Sequence, residues 1–280
     1  MKHIFTLAMI LSVFTVYGQS KKTIKLYNKA IEYFQSKDYN NAINTYLEVI
    51  EEDPRYSWPY INLGITYKEV GEYDLSIKYL NTALQMDPNN HHIYYSLGAT
   101  YTKIKQYDKS NQYYHQAAHF EDANLDTIYS NMGFNFLFWG KLDSAIHYFE
   151  KSLELHPAFE APLTNIAYLH IMKENYTEAQ KCLETLIQEY PDVTNNYNNL
   201  GYVLCKLNDL DNAEKYLRQS LKMDNKNEWT YRNFGILYQA KGDQKNACKN
   251  LDKAIELGFE ARYGKEVSEL LQKHCEEKSK

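Results

Sequence analysis

The sequence predicts an all-α fold in which helical hairpins stack in series as a solenoid. Three observations lead to this prediction. The chain resembles itself at a step of 34 residues, each unit carries two apolar stripes at helical spacing, and glycine and proline are scarce, with 11 and 6 among 280 residues. A composition of 44% hydrophobic and 24% charged residues is that of a globular protein with a sizeable core.

The first 18 residues have the pattern of a cleaved signal peptide. Lys2 and His3 precede the apolar stretch 4–16, and Gly18 precedes the expected cleavage point, so the mature chain begins at Gln19. The stretch is shorter than the roughly 20 residues that a membrane-spanning helix needs. We therefore expect a protein that is secreted or released into the periplasm; an uncleaved N-terminal anchor is the alternative.

The repeats follow from about residue 23. The pattern Tyr-x-x-Leu-Gly-x-x-Tyr at residues 60–67 recurs at 94–101, and a variant of it starts at residue 129. Within each unit a short turn separates the two apolar stripes, which predicts a helical hairpin. The period divides the chain into seven units, at residues 23–56, 57–90, 91–124, 126–159, 160–193, 194–227 and 228–260.

Glycine occupies fixed positions in these units. At the eighth position it lets the two helices of a hairpin approach closely, and just past the first helix it suits a left-handed cap. The eighth-position residues are Gly64, Gly98, Gly133, Gly201 and Gly235, and the cap residues are Gly71, Gly140 and Gly242.

A last helix is expected over residues 261–277, where it would cover the exposed face of the final hairpin. Its apolar stripe consists of Tyr263, Val267, Leu270, Leu271 and Cys275, and charged residues alternate with that stripe. This segment is predicted to act as a capping helix for residues 19–260.

The pattern of residues 23–259 resembles the tetratricopeptide repeat. The resemblance implies a right-handed superhelical α-solenoid of about seven hairpins, whose first helices line a concave groove that binds protein or peptide segments. It also implies that the second, fifth, sixth, ninth, twelfth and thirteenth positions of each unit face this groove.

At the sixth position, six of the seven units carry asparagine. A side-chain amide offers a donor and an acceptor together, so a regular row of amides can pair with the backbone of an extended chain. The alternative is that asparagine fixes helix packing at this repeat position. The row consists of Asn28, Asn62, Asn131, Asn165, Asn199 and Asn233, with Ser96 in the third unit.

The other groove positions of the middle units predict an apolar, aromatic floor that can bury an apolar segment of a partner. The alternative is that this floor is covered within the protein or by a second copy of the chain. Together with the asparagines from Asn62 to Asn233, the candidate binding residues are Tyr95, Phe134, Phe138, Tyr168, Met172 and Tyr202.

Four cysteines in an exported chain permit disulfides. Cys248 lies near the start of the last repeat's second helix and Cys275 near the end of the capping helix. Because consecutive helices pack antiparallel, the start of one meets the end of the next, so we hypothesise a bridge between them. Cys182 and Cys205 are expected to remain free, half-buried thiols.

Charge and motifs bear on the other classes of function. With 31 basic and 36 acidic side chains the net charge is -5, which gives no electrostatic basis for binding nucleic acid. His115 and His119 are spaced one helical turn apart, as in helical zinc sites, but Gln116 stands where a zinc protease carries its catalytic glutamate. We expect outward-facing histidines and no metal, cofactor or catalytic residue.

The sequence therefore predicts an exported, non-catalytic scaffold that holds a protein or peptide segment in its groove, with no nucleic-acid or small-molecule ligand and no stable membrane insertion. It does not predict the oligomeric state. An assembly chaperone or receptor subunit of a cell-envelope complex is the main alternative. A metal-dependent hydrolase at His115 and His119 is the second.

Overall fold

The computed structural model describes residues 19–276, and these residues form helices and turns with no strand among them. The predicted all-α fold of repeated hairpins is confirmed. The predicted signal peptide, residues 1–18, lies outside the described part of the chain. Within that part, no helix combines the length and the apolar character needed to cross a membrane. The chain divides into two compact units, Met1–Ala123 and Asn124–Lys280.

The described residues of unit 1, from 19 to 123, form three hairpins. Each first helix contacts its own second helix, and each second helix contacts the first helix of the next hairpin, so the hairpins stack in series. Tyr46, Leu80 and Tyr114, one from each second helix, are fully buried in this stack. The helices are α1 (Lys21–Gln35), α2 (Tyr39–Glu52), α3 (Ser57–Glu69), α4 (Tyr73–Met86), α5 (His91–Lys103) and α6 (Tyr107–Ala117).

In unit 2, the residues that the structure describes, 124–276, form four hairpins and the C-terminal segment. One continuous core runs through the hairpins from Phe149 to Leu237. Their contacts follow the same order as in unit 1, with each helix packed on its neighbours in sequence. The helices are α7 (Leu125–Phe138), α8 (Leu142–Leu155), α9 (Glu160–Met172), α10 (Tyr176–Glu189), α11 (Thr194–Lys206), α12 (Leu210–Met223), α13 (Glu228–Ala240) and α14 (Gln244–Glu256).

The C-terminal segment differs from the single capping helix expected over 261–277. It consists of α15 (Phe259–Tyr263), α16 (Glu266–Leu271) and a π-helical turn over Gln272–Glu276. Gly264, with a φ of 93°, interrupts the helix, because glycine adopts this backbone conformation without the steric cost that other residues incur. Residue 277 lies outside the described range.

The segment nevertheless covers the last hairpin. Phe259 and Val267 are fully buried against Leu251 and Ala254 of α14, and Leu270 and Leu271 pack at the edge of this cluster. Tyr263, expected on the buried stripe, is instead half exposed, and its ring lies 4.8 Å from that of Trp229. The interruption at Gly264 turns this residue away from the stripe.

The close helix approach predicted for the eighth position is confirmed. A Cβ atom built on Gly133 would lie 2.5 Å from the ring of Phe149, and the other four eighth-position glycines face a buried side chain at 2.5–2.8 Å. The left-handed cap is also confirmed at Gly71, Gly140 and Gly242. In the other four hairpins the same turn is made without glycine, by Lys37, Lys105, Glu174 and Asn208.

Candidate protein-binding surface

Three large apolar side chains on the first helices of unit 2 are exposed. Phe138, Tyr168 and Met172 keep 68%, 57% and 53% of their surface accessible to solvent. Phe138 is the last residue of α7, and Tyr168 and Met172 lie one turn apart on α9, which contacts α7 directly. Soluble proteins rarely expose neighbouring apolar residues of this size without a partner.

These residues belong to two rows that follow the repeat. Phe134, Tyr168 and Tyr202 occupy the ninth position of successive units, and Phe138 and Met172 occupy the thirteenth. We refer to these five residues as the unit 2 patch. Side chains at equivalent positions of stacked hairpins point in the same direction, so the rows form one surface on the first helices.

The base of the unit 2 patch is fixed by the core. The ring of Phe134 meets that of Phe149 edge-on, with centroids 5.4 Å apart, and both Phe134 and Tyr202 pack against the buried cluster of unit 2. The guanidinium of Arg232 lies 5.1 Å from the centroid of the Tyr202 ring. Tyr202 is therefore a rigid surface, which lowers the entropy cost of binding a partner.

The charges beside the patch leave it nearly neutral. Arg232 forms an ion pair with Glu266 of α16, so its charge is compensated within the protein. Lys206, at the end of α11, lies over the ring of Tyr202 at 5.5 Å. At the ninth and thirteenth positions of these three units, a bound segment meets the five side chains of the patch and one charge, that of Lys206.

The asparagine row is partly used by the protein itself. In unit 1, Asn62 is buried and its Nδ2 donates to the hydroxyl of Tyr27 at 2.7 Å. In unit 2, Asn233 is buried and donates to Oδ1 of Asn198 at 2.8 Å. A buried amide that already has a partner is costly to redirect toward a ligand. For these two residues the geometry favours the packing alternative.

The remaining amides of unit 2 are more accessible. Nδ2 of Asn165 donates to the carbonyl of Ala161 at 2.6 Å, which leaves its Oδ1 as an acceptor. Asn131 and Asn199 are half-buried on α7 and α11, in the row that runs beside the unit 2 patch. Within unit 2, these three asparagines lie beside the patch, where they can contact a partner.

Tyr95, the remaining candidate, lies in unit 1. It is half-buried on α5, and its ring is 5.5 Å from that of the buried Tyr114. Asn62 and Tyr95 belong to unit 1 and are not part of the unit 2 patch. In unit 1, Asn28 is exposed on α1 and Ser96 is buried.

The structure brings together the two cysteines that the sequence pairs. Cys248 of α14 and Cys275 of the π-helical turn form a disulfide, with Cα atoms 6.0 Å apart. Cys182 and Cys205 are free. Burial raises the pKa of Cys182 to about 11 and that of Cys205 to about 12, so both are protonated thiols at neutral pH. Cys205 is more deeply buried than the half-buried position expected, because it lies on the core side of α11.

His115 and His119 face outward, as the sequence predicts. His115 and His119 are exposed, and Nδ1 of His119 donates to the carbonyl of His115 at 2.6 Å. Among residues 19–276, no three side chains of the metal-binding types converge. A different pair, His91 and His92, is in direct contact, and burial lowers the pKa of His92. Sequence reasoning missed this pair because adjacent helical residues normally point in different directions.

Comparison with protein families identifies the repeats independently. A family model described as a TPR repeat matches residues 32–71, and models described as tetratricopeptide repeats match residues 57–90, 79–110, 140–200 and 194–227. The mouse BBSome complex member BBS4 is 25% identical over 120 residues, which cover 43% of this chain. The matched region spans 23% of that protein.

Solved structures show the same fold. The C-terminal part of a TPR repeat-containing protein from Cytophaga hutchinsonii is 17% identical, with a TM-score of 0.71 over 88% of this chain and 99% of that one. PilF of Pseudomonas aeruginosa is 19% identical, with a TM-score of 0.62 over 78% and 97% of the two chains. A tetratricopeptide repeat protein from Parabacteroides merdae is 18% identical, with a TM-score of 0.57 over 90% and 100%.

Proposed function

Because the chain contains tetratricopeptide repeats, we propose that it is an exported, non-catalytic scaffold that holds an apolar protein segment on the unit 2 patch. The exposure of Phe138, Tyr168 and Met172 on neighbouring first helices is the observation that carries this proposal. Repeats of this kind typically mediate contacts between proteins, and the patch gives this chain a particular surface for such a contact.

The magnitudes support a modest affinity. Burying three large apolar side chains contributes about 1.5–3 kcal/mol each. Association costs an estimated 4–15 kcal/mol, so apolar burial alone does not give a stable complex. Hydrogen bonds from Asn131, Asn165 and Asn199 can add about 0.5–1.5 kcal/mol each. Together these contributions reach about 6–13 kcal/mol, which gives micromolar binding only when the association cost is near the low end of its range, so an affinity in the micromolar range or weaker is expected.

The composition of the surface indicates the partner's chemistry. The unit 2 patch is apolar, and the one arginine beside it is already paired with Glu266. At the ninth and thirteenth positions of the three units that carry the patch, Lys206 is the one counter-charge for an acidic peptide, and a basic peptide finds none. We therefore propose an uncharged, apolar segment, bound in an extended or helical conformation with its backbone toward the amides.

Two features support export. The first 18 residues have the composition of a signal peptide, and the disulfide between Cys248 and Cys275 is of the kind that persists in oxidising compartments. N-terminal sequencing of protein recovered from the native host tests this part of the proposal. A mature chain that begins at Gln19 is expected, and retention of Met1 in the fractionated protein would contradict it.

The binding experiment uses peptides selected from a random library against the mature chain, measured by calorimetry. The double variant Phe138→Asp/Tyr168→Asp is expected to weaken binding at least tenfold, because two charges would be desolvated against an apolar ligand. The control is Leu155→Asp, since Leu155 is 53% exposed at the end of α8 and lies outside the patch. Circular dichroism checks that all variants keep their helices.

The outcome also separates this proposal from its main alternative. Equal binding by the double variant and the wild type would refute the patch as the binding surface. An assembly chaperone or receptor subunit that uses other faces predicts that result, with crosslinks that map to the second helices. Selective loss in the patch variant, with the Leu155 variant unaffected, supports the scaffold.

A further inference from the structure

His91 and His92, the first two residues of α5, converge at one point of unit 1. Their Nε2 atoms are 3.2 Å apart, and their rings meet edge-on with centroids 4.0 Å apart. Adjacent helical residues diverge by roughly a quarter turn, so this contact requires both side chains to bend toward each other. Such an arrangement places two imidazole nitrogens, both able to ligate a metal, at the same point.

We propose that this pair is a Zn²⁺ site, with Nε2 of His91 and Nε2 of His92 as the two protein ligands. At a Zn–N distance of about 2.0–2.1 Å, two nitrogens of a tetrahedral site lie roughly 3.3 Å apart. The observed distance of 3.2 Å between the two Nε2 atoms matches this ligand separation, so the ion fits between the rings after small rotations. A square-planar ion would require adjacent nitrogens at about 2.8 Å, which the pair matches less well.

The second observation is the environment of the other nitrogen of His91. Its Nδ1 is buried without a hydrogen-bond partner, and the nearest carboxylate oxygen, Oδ1 of Asp122, is 3.6 Å away. Histidines that bind zinc usually donate this second N–H to a carboxylate, which fixes the tautomer and orients the ring. A small movement of the exposed Asp122 side chain completes that contact and satisfies the buried nitrogen.

The tautomer set by Asp122 is the one that zinc needs. A proton on Nδ1 of His91 faces the negative carboxylate, and the lone pair of Nε2 is then directed at His92. Without a metal, Nε2–H of His92 donates to this lone pair, which accounts for the 3.2 Å contact. When Zn²⁺ binds, the proton of His92 moves from Nε2 to Nδ1 by exchange with solvent, so both Nε2 lone pairs face the ion and both imidazoles stay neutral.

The surrounding rings restrict the movement of both imidazoles. Trp58 lies 5.5 Å from His92, and Phe120 lies 6.2 Å from His91. The His91 side chain keeps 11% of its surface exposed. Within the described residues no third ligand converges on the pair. Water, or a donor atom of a bound partner, therefore completes the coordination, and the affinity is expected to be lower than that of a four-ligand structural site.

The test is a calorimetric titration of the tag-free mature chain with ZnCl₂, because a polyhistidine tag would bind the metal itself. One equivalent of Zn²⁺ is expected to bind. His92→Gln is expected to lower the affinity at least tenfold, and Asp122→Asn, which removes only the orienting carboxylate, roughly tenfold. The imidazole resonances of His91 and His92 should shift on addition of one equivalent.

The matched control is the double variant His115→Gln/His119→Gln, which removes the histidine pair with the more familiar spacing. It is expected to keep the wild-type affinity and stoichiometry. Loss of zinc binding in this control would overturn the proposal and assign the metal to His115 and His119. Unchanged binding by His92→Gln, or no binding by the wild-type chain, would also overturn it. Because the peptide experiment concerns unit 2, its outcome is independent of this one.

Discussion

Arg232 of α13 forms an ion pair with Glu266, the first residue of α16, while only 11% of the Arg232 side chain is exposed. A nearly buried guanidinium needs this partner, because removal of the carboxylate leaves a charge that water reaches poorly. A second pair joins α15 to α13, from Arg262 to the buried carboxylate of Glu228. Polar contacts as well as apolar packing therefore hold the C-terminal segment on the last hairpin.

Glu266→Ala is expected to lower the free energy of unfolding by about 1–2 kcal/mol, since Arg232 stays charged in its poorly solvated position. Chemical denaturation measures this change. The matched control is Glu256→Ala, which breaks the exposed pair between Glu256 and Lys253 and is expected to cost less than about 0.5 kcal/mol. Equal losses in the two variants would contradict the role assigned to the Arg232 pair.

Removal of the disulfide is expected to destabilise the C-terminal segment most. Cys248 and Cys275 are 27 residues apart in sequence, and a loop of this size corresponds to about 3–4 kcal/mol in the chain-entropy account. The double variant Cys248→Ser/Cys275→Ser should lose roughly this stability, and hydrogen exchange should increase first between Phe259 and Glu276.

The control for the disulfide prediction is Cys182→Ser, which removes a free thiol of α10. Reductant should lower the stability of this variant as much as it lowers that of the wild type. In the double cysteine variant reductant should have no effect. A uniform increase in exchange across unit 2 would show that the bridge stabilises the whole unit and not its end.

The period of the sequence was sufficient to predict the hairpins, because the apolar stripes and the eighth-position glycines report local packing within one unit. The interruption at Gly264 was harder to foresee. The residues from 261 to 277 carry a helical apolar stripe, and a single glycine inside such a stripe does not by itself show whether the helix continues. In the structure its φ of 93° ends α15, and Tyr263 becomes exposed.

The candidate site was only partly predictable for a different reason. Asn62 and Asn233 have the same repeat position as Asn165, yet the first two are buried and bonded to Tyr27 and Asn198. Those partners lie 35 residues away in sequence, so the period alone could not distinguish a buried amide from an accessible one. The same limit applies to His91 and His92, whose contact depends on side-chain direction.

Lys105→Gly is expected to stabilise the chain by about 0.5–1 kcal/mol. Lys105 has a φ of 61° in the turn after α5, where a side chain incurs a steric cost that glycine avoids. The lysine is exposed, so few contacts are lost. The control is Gly71→Ala at the equivalent turn, where φ is 87°, and it should destabilise by about 1 kcal/mol. Thermal denaturation of both variants tests the two predictions. If the stability of both variants changed in the same direction, the strain argument would be contradicted.

Gly133→Ala is expected to destabilise unit 2 by about 1–3 kcal/mol, because the added methyl group would lie 2.5 Å from the Phe149 ring. The next hairpin shows that alanine is accommodated at this position when it faces leucine, since Ala167 and Leu183 occupy the equivalent positions and both are buried.

Gly133→Ala combined with Phe149→Leu should therefore lose less stability than the sum of the two single variants. The expected coupling is about 0.5–3 kcal/mol in a double-mutant cycle measured by urea denaturation. Additive losses would mean that α7 and α8 relieve the overlap by moving apart, and that the eighth-position glycine is not required for the close packing of this hairpin.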